Sequence, residues 1–172
     1  QVICEMSPAQ FVASVDFRYL TDALTSNQAV ELLDRHTPTR AKRIEELRGI
    51  GYPSYTTSAG WLGYSDEDLK KKCTDLKARG WSHFKIKVGR DLDDDRRRCS
   101  VLRREMGDEA HMMIDANQAW DLQTAMALSA RLDDFKPSWL EEPLRADRPW
   151  HEWQRLRAAT SIPLAAGENA IG

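Results

Sequence analysis

The sequence predicts an α/β fold that is part of a (β/α)8 (TIM-like) barrel, about its first half, preceded by a helical segment. From residue 51 onward, short apolar strand patterns alternate with helical patterns through short loops, which is typical of a parallel sheet. Polar residues at the predicted strand ends recur with the period of one βα unit: 28 residues separate Lys87 from Asp115, 26 lead to Glu141 and 27 to Glu168. A doubly wound sheet would place a glycine-rich turn after its first strand. No GxGxxG motif occurs, so a barrel, which takes about 250 residues, fits better.

The composition is that of an ordinary globular protein, with 172 residues, 41% hydrophobic, 30% charged and a net charge of −2. We expect no nucleic-acid partner, because there is no basic excess, and no membrane partner, because no apolar run approaches the roughly 20 residues of a membrane span. No signal peptide is visible, which favours a cytoplasmic protein. The chain starts at Gln1 instead of Met, as a segment of a longer protein would. Cys73 and Cys99 fall at helix core positions and are predicted to be reduced, buried thiols.

Residues 1–50 are predicted to be a helical lead-in to the barrel. Ser7-Pro8 opens a helix with proline in its first turn. A cap from Thr25 to Gln28 precedes a second helix, and Thr37-Pro38 begins a third that ends near Gly49. This segment contains no group of residues that indicates chemistry.

Residues 51–172 are predicted to form the first four βα units and the fifth strand of the barrel. Helices are expected to start after Ser65, Asp91 and Asp121, each of which can cap a first turn, and a fourth helix contains Trp150. The predicted strands cover residues 52–57, 84–89, 111–116, 138–143 and 162–169.

Two lysines share one face of the strand Phe84-Lys85-Ile86-Lys87-Val88-Gly89, because successive side chains of a strand point to opposite faces. Burial and the neighbouring charge both disfavour an ammonium, so the pattern predicts lysines with a lowered pKa that are suited to acid–base chemistry. The alternative is an edge strand whose two lysines are solvated.

Three carboxylates, Asp115, Glu141 and Glu168, end successive predicted strands. The carboxyl ends of parallel barrel strands form one face, where three converging acids require a cation, and hard oxygen ligands suit Mg²⁺, or Mn²⁺. Taken singly, each acid could instead be a helix cap or a loop carboxylate. Together with a lysine they predict removal of the proton α to a metal-bound carboxylate, with the metal stabilising an enediolate.

Three further residues are candidates for the substrate pocket or its supports. Asn117 shares a face with Asp115 and is predicted to hydrogen-bond a metal ligand or the substrate. Glu142 should point away from Glu141, into a structural salt bridge. Trp61 lies in a loop at the barrel mouth, where it could touch substrate or pack against other aromatic residues. The four histidines, at positions 36, 83, 111 and 151, are expected to form no pair at metal-ligand spacing and to be structural or surface residues.

Four motifs carry a resemblance to a known family: Lys85–Gly89, Ile114–Asn117, Leu140–Pro143 and Ala166–Asn169. Together they resemble the mandelate racemase branch of the enolase superfamily. Segments 15–25 and 51–64 are similar to the L-fuconate dehydratase subgroup of that branch and its mitochondrial members. Segments 144–153 and 167–169 depart from that subgroup, and the latter is closer to other sugar-acid dehydratases.

The resemblance implies that Asp115, Glu141 and Glu168 bind Mg²⁺, that Lys87 is the base, and that Lys85 contacts substrate and lowers the pKa of Lys87; a Lys base with Mg²⁺ is the known arrangement of this superfamily. The implied reaction removes water from an acid sugar, such as L-fuconate, and gives a 2-keto-3-deoxy acid. It also implies a homo-oligomer, a mitochondrial location for a eukaryotic member, and a lead-in from the capping-domain side. The general acid is expected on later strands.

Two other interpretations remain open. A racemase, epimerase or cycloisomerase of the same superfamily would use the same enolate. Alternatively, the chain is a catalytically incomplete half-barrel that acts by binding metal or by assembling. On that view we expect the isolated chain to be inactive, and dimeric or aggregation-prone through unpaired strand edges.

Overall fold

The computed structural model describes residues 2–18, 22–52 and 54–169. It divides into two compact units, one ending at Pro53 and the other beginning at Ser54. Residues 19–21, within the segment 15–25, and Pro53, within the predicted strand 52–57, lie outside the described residues.

The first unit is helical over its described residues. Ser7 and Thr25 each form a capping box with a glutamine three residues later, Gln10 and Gln28, which satisfies amide groups of the first turn. The helix starts predicted at these caps are therefore confirmed. A 3₁₀ turn at Thr37–Thr39 leads into the last helix. The helices are α1 Val2–Glu5, α2 Pro8–Ala13, α3 Ser26–His36 and α4 Arg40–Ile50.

The second unit alternates helices and parallel strands, as predicted. The strand order is β1-β2-β3-β4, so each strand pairs with the next one in the chain, as in a barrel wall. A parallel bridge between Thr56 and Phe84 adds one position beside β1. The elements are α5 Asp66–Ala78, β1 His83–Lys87, α6 Leu92–Met106, β2 His111–Asp115, α7 Leu122–Leu132, β3 Trp139–Glu141, α8 Trp150–Ala159 and β4 Leu164–Ala165.

Helices α5, α6 and α7 begin where the sequence places a capping side chain, whereas α8 follows Pro149 without a side-chain cap. Ser65, Asp91 and Asp121 each accept a hydrogen bond from the backbone amide three residues later. The first turn of α6 also carries three acids, which complement the positive end of the helix dipole. These local signals set the helix positions, and the strands lie between them.

One face of the sheet is covered by the helices and forms the core. Phe84 and Ile86 of β1, Ile114 of β2 and Leu140 of β3 are fully buried on that face. The thiols of α5 and α6 are free and buried, which confirms the prediction of reduced core cysteines. Helix side chains that complete this core include Cys73, Leu76, Cys99, Leu102, Ala125, Leu132 and Leu156.

Two predicted strands are shorter than expected in this unit. Of the strand predicted over 52–57, the described residues form only the bridge at Thr56. The last strand, predicted over 162–169, is confined to Leu164–Ala165. His83 and His111 are register partners on β1 and β2, and their rings stack with centroids 4.4 Å apart. The parallel register between β1 and β2 places these two residues side by side.

Within residues 2–18, 22–52 and 54–169, no helix combines the length and the apolar character that crossing a membrane requires.

Candidate active site

The strand register lines up three of the candidate residues. Lys87 is the register partner of Asp115, and Asp115 is the partner of Glu141, so they form one row at the carboxyl ends of β1, β2 and β3. Alternation along β1 puts Lys85 on the same face as Lys87, opposite the face that packs on the helices. The sheet thus places two ammonium groups beside two carboxylates.

Lys85 lies at the centre of this group. Its Nζ donates to Glu141 Oε1 at 2.8 Å and Oε2 at 3.0 Å, lies 3.2 Å from Asp115 Oδ2, and donates to the Tyr55 hydroxyl at 3.1 Å. The side chain is 6% exposed. The alternative of solvated lysines on an edge strand is therefore wrong for Lys85.

Lys87 forms the second half of the ion-pair network. Its Nζ donates to Asp115 Oδ2 at 2.6 Å and lies 5.8 Å from the centre of a Trp61 ring. The other Asp115 oxygen accepts the backbone amide of Asn117 at 2.9 Å, and Asn117 takes a left-handed conformation with φ of 45°. The contact predicted between Asn117 and a metal-ligand candidate thus comes from the main chain.

The charges of the network shift the pKa of both partners. Burial acts to lower the pKa of Lys85, but the hydrogen bonds to Glu141, Tyr55 and Asp115 outweigh it, and the pKa of this ammonium is raised. The expectation of a lowered pKa is therefore wrong for Lys85 while the carboxylates face it. Burial acts to raise the pKa of Asp115, and the bonds from Lys87, Asn117 and Lys85 outweigh it, so the pKa of Asp115 is lowered.

The site contains two aromatic residues, Trp139 and Tyr55, that sequence reasoning missed. The indole of Trp139 donates from Nε1 to Glu141 Oε2 at 3.0 Å. The Tyr55 ring packs edge-on against Trp139, with centroids 5.9 Å apart, and lies 4.7 Å from Lys85 Nζ. Trp139 could have been found, because it is two residues before Glu141 on a strand and so shares its face. Tyr55 has no comparable signal, since its place depends on the pairing of Thr56 with β1.

Glu142 and Glu168 lie outside the row formed by Lys87, Asp115 and Glu141. Glu142 is 2% exposed, and its carboxylate accepts both bonds from the Asn169 amide, at 2.9 and 3.0 Å. The expectation of a salt bridge for Glu142 is therefore replaced by an amide contact. Glu168 is exposed and follows Ala165, the register partner of Glu141, by three residues.

The donor set suits a hard divalent cation. Asp115 and Glu141 offer carboxylate oxygens on neighbouring strands, and an ammonium already sits against both. Carboxylate oxygens are the ligands that Mg²⁺ prefers. Within the described ranges, no three His, Cys, Asp or Glu side chains are arranged to hold a metal. The role of Asp115, Glu141 and Glu168 as a metal triad stays a prediction.

Comparison with known proteins gives the family. Residues 68–172 match the family model described as "Enolase C-terminal domain-like". The chain is 48% identical over 147 residues to mitochondrial enolase superfamily member 1 of Xenopus laevis, covering 86% of this chain and 33% of that protein. It is 41% identical over 150 residues to L-galactonate dehydratase of Hypocrea jecorina, with the same coverage of 86% and 33%.

Solved structures show the same relationship. The crystal structure of human mitochondrial enolase superfamily member 1 matches 99% of this chain and 39% of that one, at 40% identity and a TM-score of 0.90. L-talarate/galactarate dehydratase from Salmonella typhimurium LT2, liganded with Mg and L-lyxarohydroxamate, matches 66% of this chain and 29% of its own, at 36% identity and a TM-score of 0.62. The chain spans about a third of the length of the curated relatives it matches.

Proposed function

The chain belongs to the enolase C-terminal domain-like family, and we propose that it supplies the base and metal-holding carboxylates for the dehydration of an acid sugar. Lys87 removes the proton α to the substrate carboxylate, and Asp115, Glu141 and Glu168 hold Mg²⁺. The observation that carries this proposal is the row of Lys87, Asp115 and Glu141 at the carboxyl ends of neighbouring parallel strands, with Lys85 in contact with both acids.

The electrostatics of the row explain why a cation and a lysine base belong together. A base must lose its proton, yet Lys87 donates to the Asp115 carboxylate, and the acids around the neighbouring Lys85 raise the pKa of that ammonium. A divalent cation held by Asp115 and Glu141 would offset that negative charge and would stabilise charge developing on the substrate carboxylate. Lys85 donates to both Glu141 oxygens. If a cation held Glu141 instead, the Lys85 ammonium would be free to contact substrate.

The substrate class follows from the relatives. L-galactonate dehydratase and L-talarate/galactarate dehydratase act, by their names, on acid sugars, which supports an acid sugar here. We propose L-fuconate as one substrate to test. It differs from L-galactonate in lacking the hydroxyl at carbon 6, so the pair isolates the contribution of one group. The mitochondrial relatives support a mitochondrial location for a eukaryotic source.

The test combines product formation with proton exchange. The purified chain is incubated with Mg²⁺ and a panel of acid sugars, including L-fuconate and L-galactonate, in D₂O. A colorimetric assay detects the 2-keto-3-deoxy acid, and proton NMR follows loss of the α-proton signal. Under this proposal Lys87→Ala abolishes α-proton exchange, while Mg²⁺ binding measured by calorimetry remains and is weakened by Glu141→Gln.

Lys71→Ala is the matched control, because Lys71 is an exposed lysine of α5. It should leave exchange and Mg²⁺ binding unchanged. Exchange that survives in Lys87→Ala would show that Lys87 is not the base. Exchange without water loss would instead favour the racemase, epimerase or cycloisomerase alternative. Mg²⁺ binding with neither reaction would favour a half-barrel that binds metal without turnover.

A further inference from the structure

A fully buried arginine ties three parts of the second unit together. Arg98 of α6 is 0% exposed. Its Nη1 donates to the backbone oxygen of Lys87 at 2.8 Å, and its Nη2 donates to those of Gly60 and Trp61, at 3.0 and 2.7 Å. One side chain thus joins a helix to the last residue of β1 and to the loop that carries Trp61.

The charge of Arg98 is met by Asp95, one helical turn earlier. Arg98 Nη1 lies 3.4 Å from Asp95 Oδ1, and Asp95 Oδ2 accepts the Gly89 amide at 2.7 Å. Among the described residues, Arg98 Nε has no hydrogen-bond partner. Burying such a pair brings little net stability, and apolar residues of similar volume often do as well. A contribution to stability therefore explains the pair poorly. Its contacts are with the backbone of Lys87, of Gly89, and of the loop residues Gly60 and Trp61.

The loop beside β1 is held by the same contacts. The Gly60 oxygen accepts from the Lys87 amide at 2.8 Å as well as from Arg98. A Cβ atom at Gly60 would lie 2.2 Å from the Lys85 oxygen, so the loop backbone rests directly on the strand. Trp61 follows Gly60, is 49% exposed, and brings its ring to 5.8 Å from Lys87 Nζ.

We propose that Arg98 is a positioning residue that fixes the Trp61 indole beside the Lys87 amine, so that indole and amine form one wall of the substrate pocket. The guanidinium is suited to this because its rigid fork of donors reaches three carbonyls at once, which a lysine ammonium cannot do in the same geometry. The significance of this arrangement for catalysis rests on the proposed function, in which Lys87 is the base. The position of the Trp61 indole is independent of that function, and it is tested separately.

The test measures where the indole lies relative to Lys87. The chain is labelled with ¹³C-lysine, and the Lys87 Cε–Hε signal, assigned with Lys87→Met, is followed by NMR. Trp61→Ala removes the ring current and shifts this signal. We expect Arg98→Met to shift it toward the position found in Trp61→Ala, and Arg98→Lys to do the same. Lys72, whose Nζ lies 4.9 Å from the centre of the Tyr64 ring, reports a second lysine–aromatic contact that should stay unchanged.

A Lys87 signal at the wild-type position in folded Arg98→Met or Arg98→Lys would overturn the proposal. Arg98→Lys is included because it keeps the charge and the volume, in case Arg98→Met fails to fold. If neither variant folds, as judged by circular dichroism and signal dispersion, Arg98 is required for the fold and the positioning role is rejected.

Turnover provides a second, separate readout. If the wild-type chain exchanges the α-proton, Arg98→Met should lower kcat about 10- to 100-fold with a smaller change in KM, because a displaced wall misaligns reacting groups. An unchanged kcat with a displaced indole would overturn the link to catalysis. If the wild-type chain shows no exchange, that result counts against the proposed function, while the NMR signals still decide the position of the indole.

Discussion

At the scale of single residues, the site is a set of charges that satisfy one another across three strands. Lys85 contacts Glu141 and Asp115, and Lys87 contacts Asp115, all with side chains that are at most 15% exposed. Removing one partner from such a group leaves a charge buried without compensation, which costs more than the net strength of the pair. Each member is therefore sensitive to substitution for stability as well as for chemistry.

The effect of the site's hydrogen bonds on stability can be tested at Trp139, which lies outside the row of Lys87, Asp115 and Glu141. Trp139→Phe keeps an aromatic ring near Tyr55 but removes the indole donor to Glu141 Oε2. A hydrogen bond to a charged group contributes about 1.5 to 3 kcal/mol, so we expect the free energy of unfolding to fall by about that amount in urea titrations. Trp150→Phe is the control, because Trp150 is 73% exposed and its loss should change stability by less than about 0.5 kcal/mol. Equal effects of the two changes would contradict the role of the Trp139 bond.

The pKa of Asp115 predicts how the stability of the site depends on pH. Its pKa is lowered below the ordinary value of 3.8 in the folded chain, so its ionisation stabilises the fold fully above that value and loses this effect as pH falls through the folded pKa. The difference in free energy of unfolding between wild type and Asp115→Asn should therefore be largest above about pH 5 and shrink toward about pH 2. Urea titrations at several pH values measure it. A difference that stays constant over this range would show that Asp115 is not stabilised as an anion.

At the scale of helices and strands, features that act within a few residues could be predicted from the sequence, whereas contacts that depend on strand pairing could be predicted only approximately. The caps Ser65, Asp91 and Asp121 act on amides three residues away, so the sequence alone located the starts of α5, α6 and α7. The shared face of Lys85 and Lys87 was likewise visible from alternation. Their partners on β2 and β3 follow from strand register, to which spacing gives only an approximate guide.

The loop residues show the limit of sequence reasoning most clearly. Nothing local marks Tyr55, Gly60 or Arg98 as neighbours of the row, because each reaches it through contacts with residues far away in the chain. The predicted strand over 162–169 failed for a related reason. Its apolar pattern is strand-like, but pairing with β3 is limited to Leu164 and Ala165.

The packing of the loop on β1 predicts opposite effects for two glycine substitutions. Gly60→Ala would place Cβ 2.2 Å from the Lys85 oxygen and 2.6 Å from Ile86 Cα, both backbone atoms that cannot rotate away. We expect a loss of about 1 to 3 kcal/mol in the free energy of unfolding, with faster hydrogen exchange of the Lys87 amide, which bonds Gly60.

The control for this change is Gly49→Ala in α4, where no described atom beyond the neighbouring residues and backbone of its own helix lies within 4 Å of the added Cβ. In a helix interior, alanine is favoured over glycine by about 0.5 to 1 kcal/mol. Gly49 lies in the last turn of α4, so this substitution should stabilise its helix by at most that amount. Full tolerance of Gly60→Ala, with Lys87 amide exchange unchanged, would show that the loop does not rest on the strand as the structure describes.

At the scale of the second unit, the described sheet ends at β4 with an apolar groove beside it. The cavity between α8 and β4 measures about 560 Å³ and is lined by Trp150, Trp153 and Leu164 among other residues. Leu164 and Ala165 are half-buried, and β3 is the strand that pairs with them. An edge strand with unpaired backbone groups beside apolar side chains favours association with another chain.

We therefore expect the isolated chain to self-associate through this edge. Its mass in light-scattering chromatography should rise with concentration, and Trp150→Lys should shift it toward the monomer, because a charge in the groove opposes burial of the apolar surface. Tyr52→Lys is the matched control: Tyr52 is 82% exposed, lies in the first unit, and undergoes the same change from aromatic to charged. A monomeric mass for the wild type at all concentrations would contradict this prediction. An equal response to Trp150→Lys and Tyr52→Lys would also contradict it, because the added charge alone, and not its position in the groove, would then control assembly.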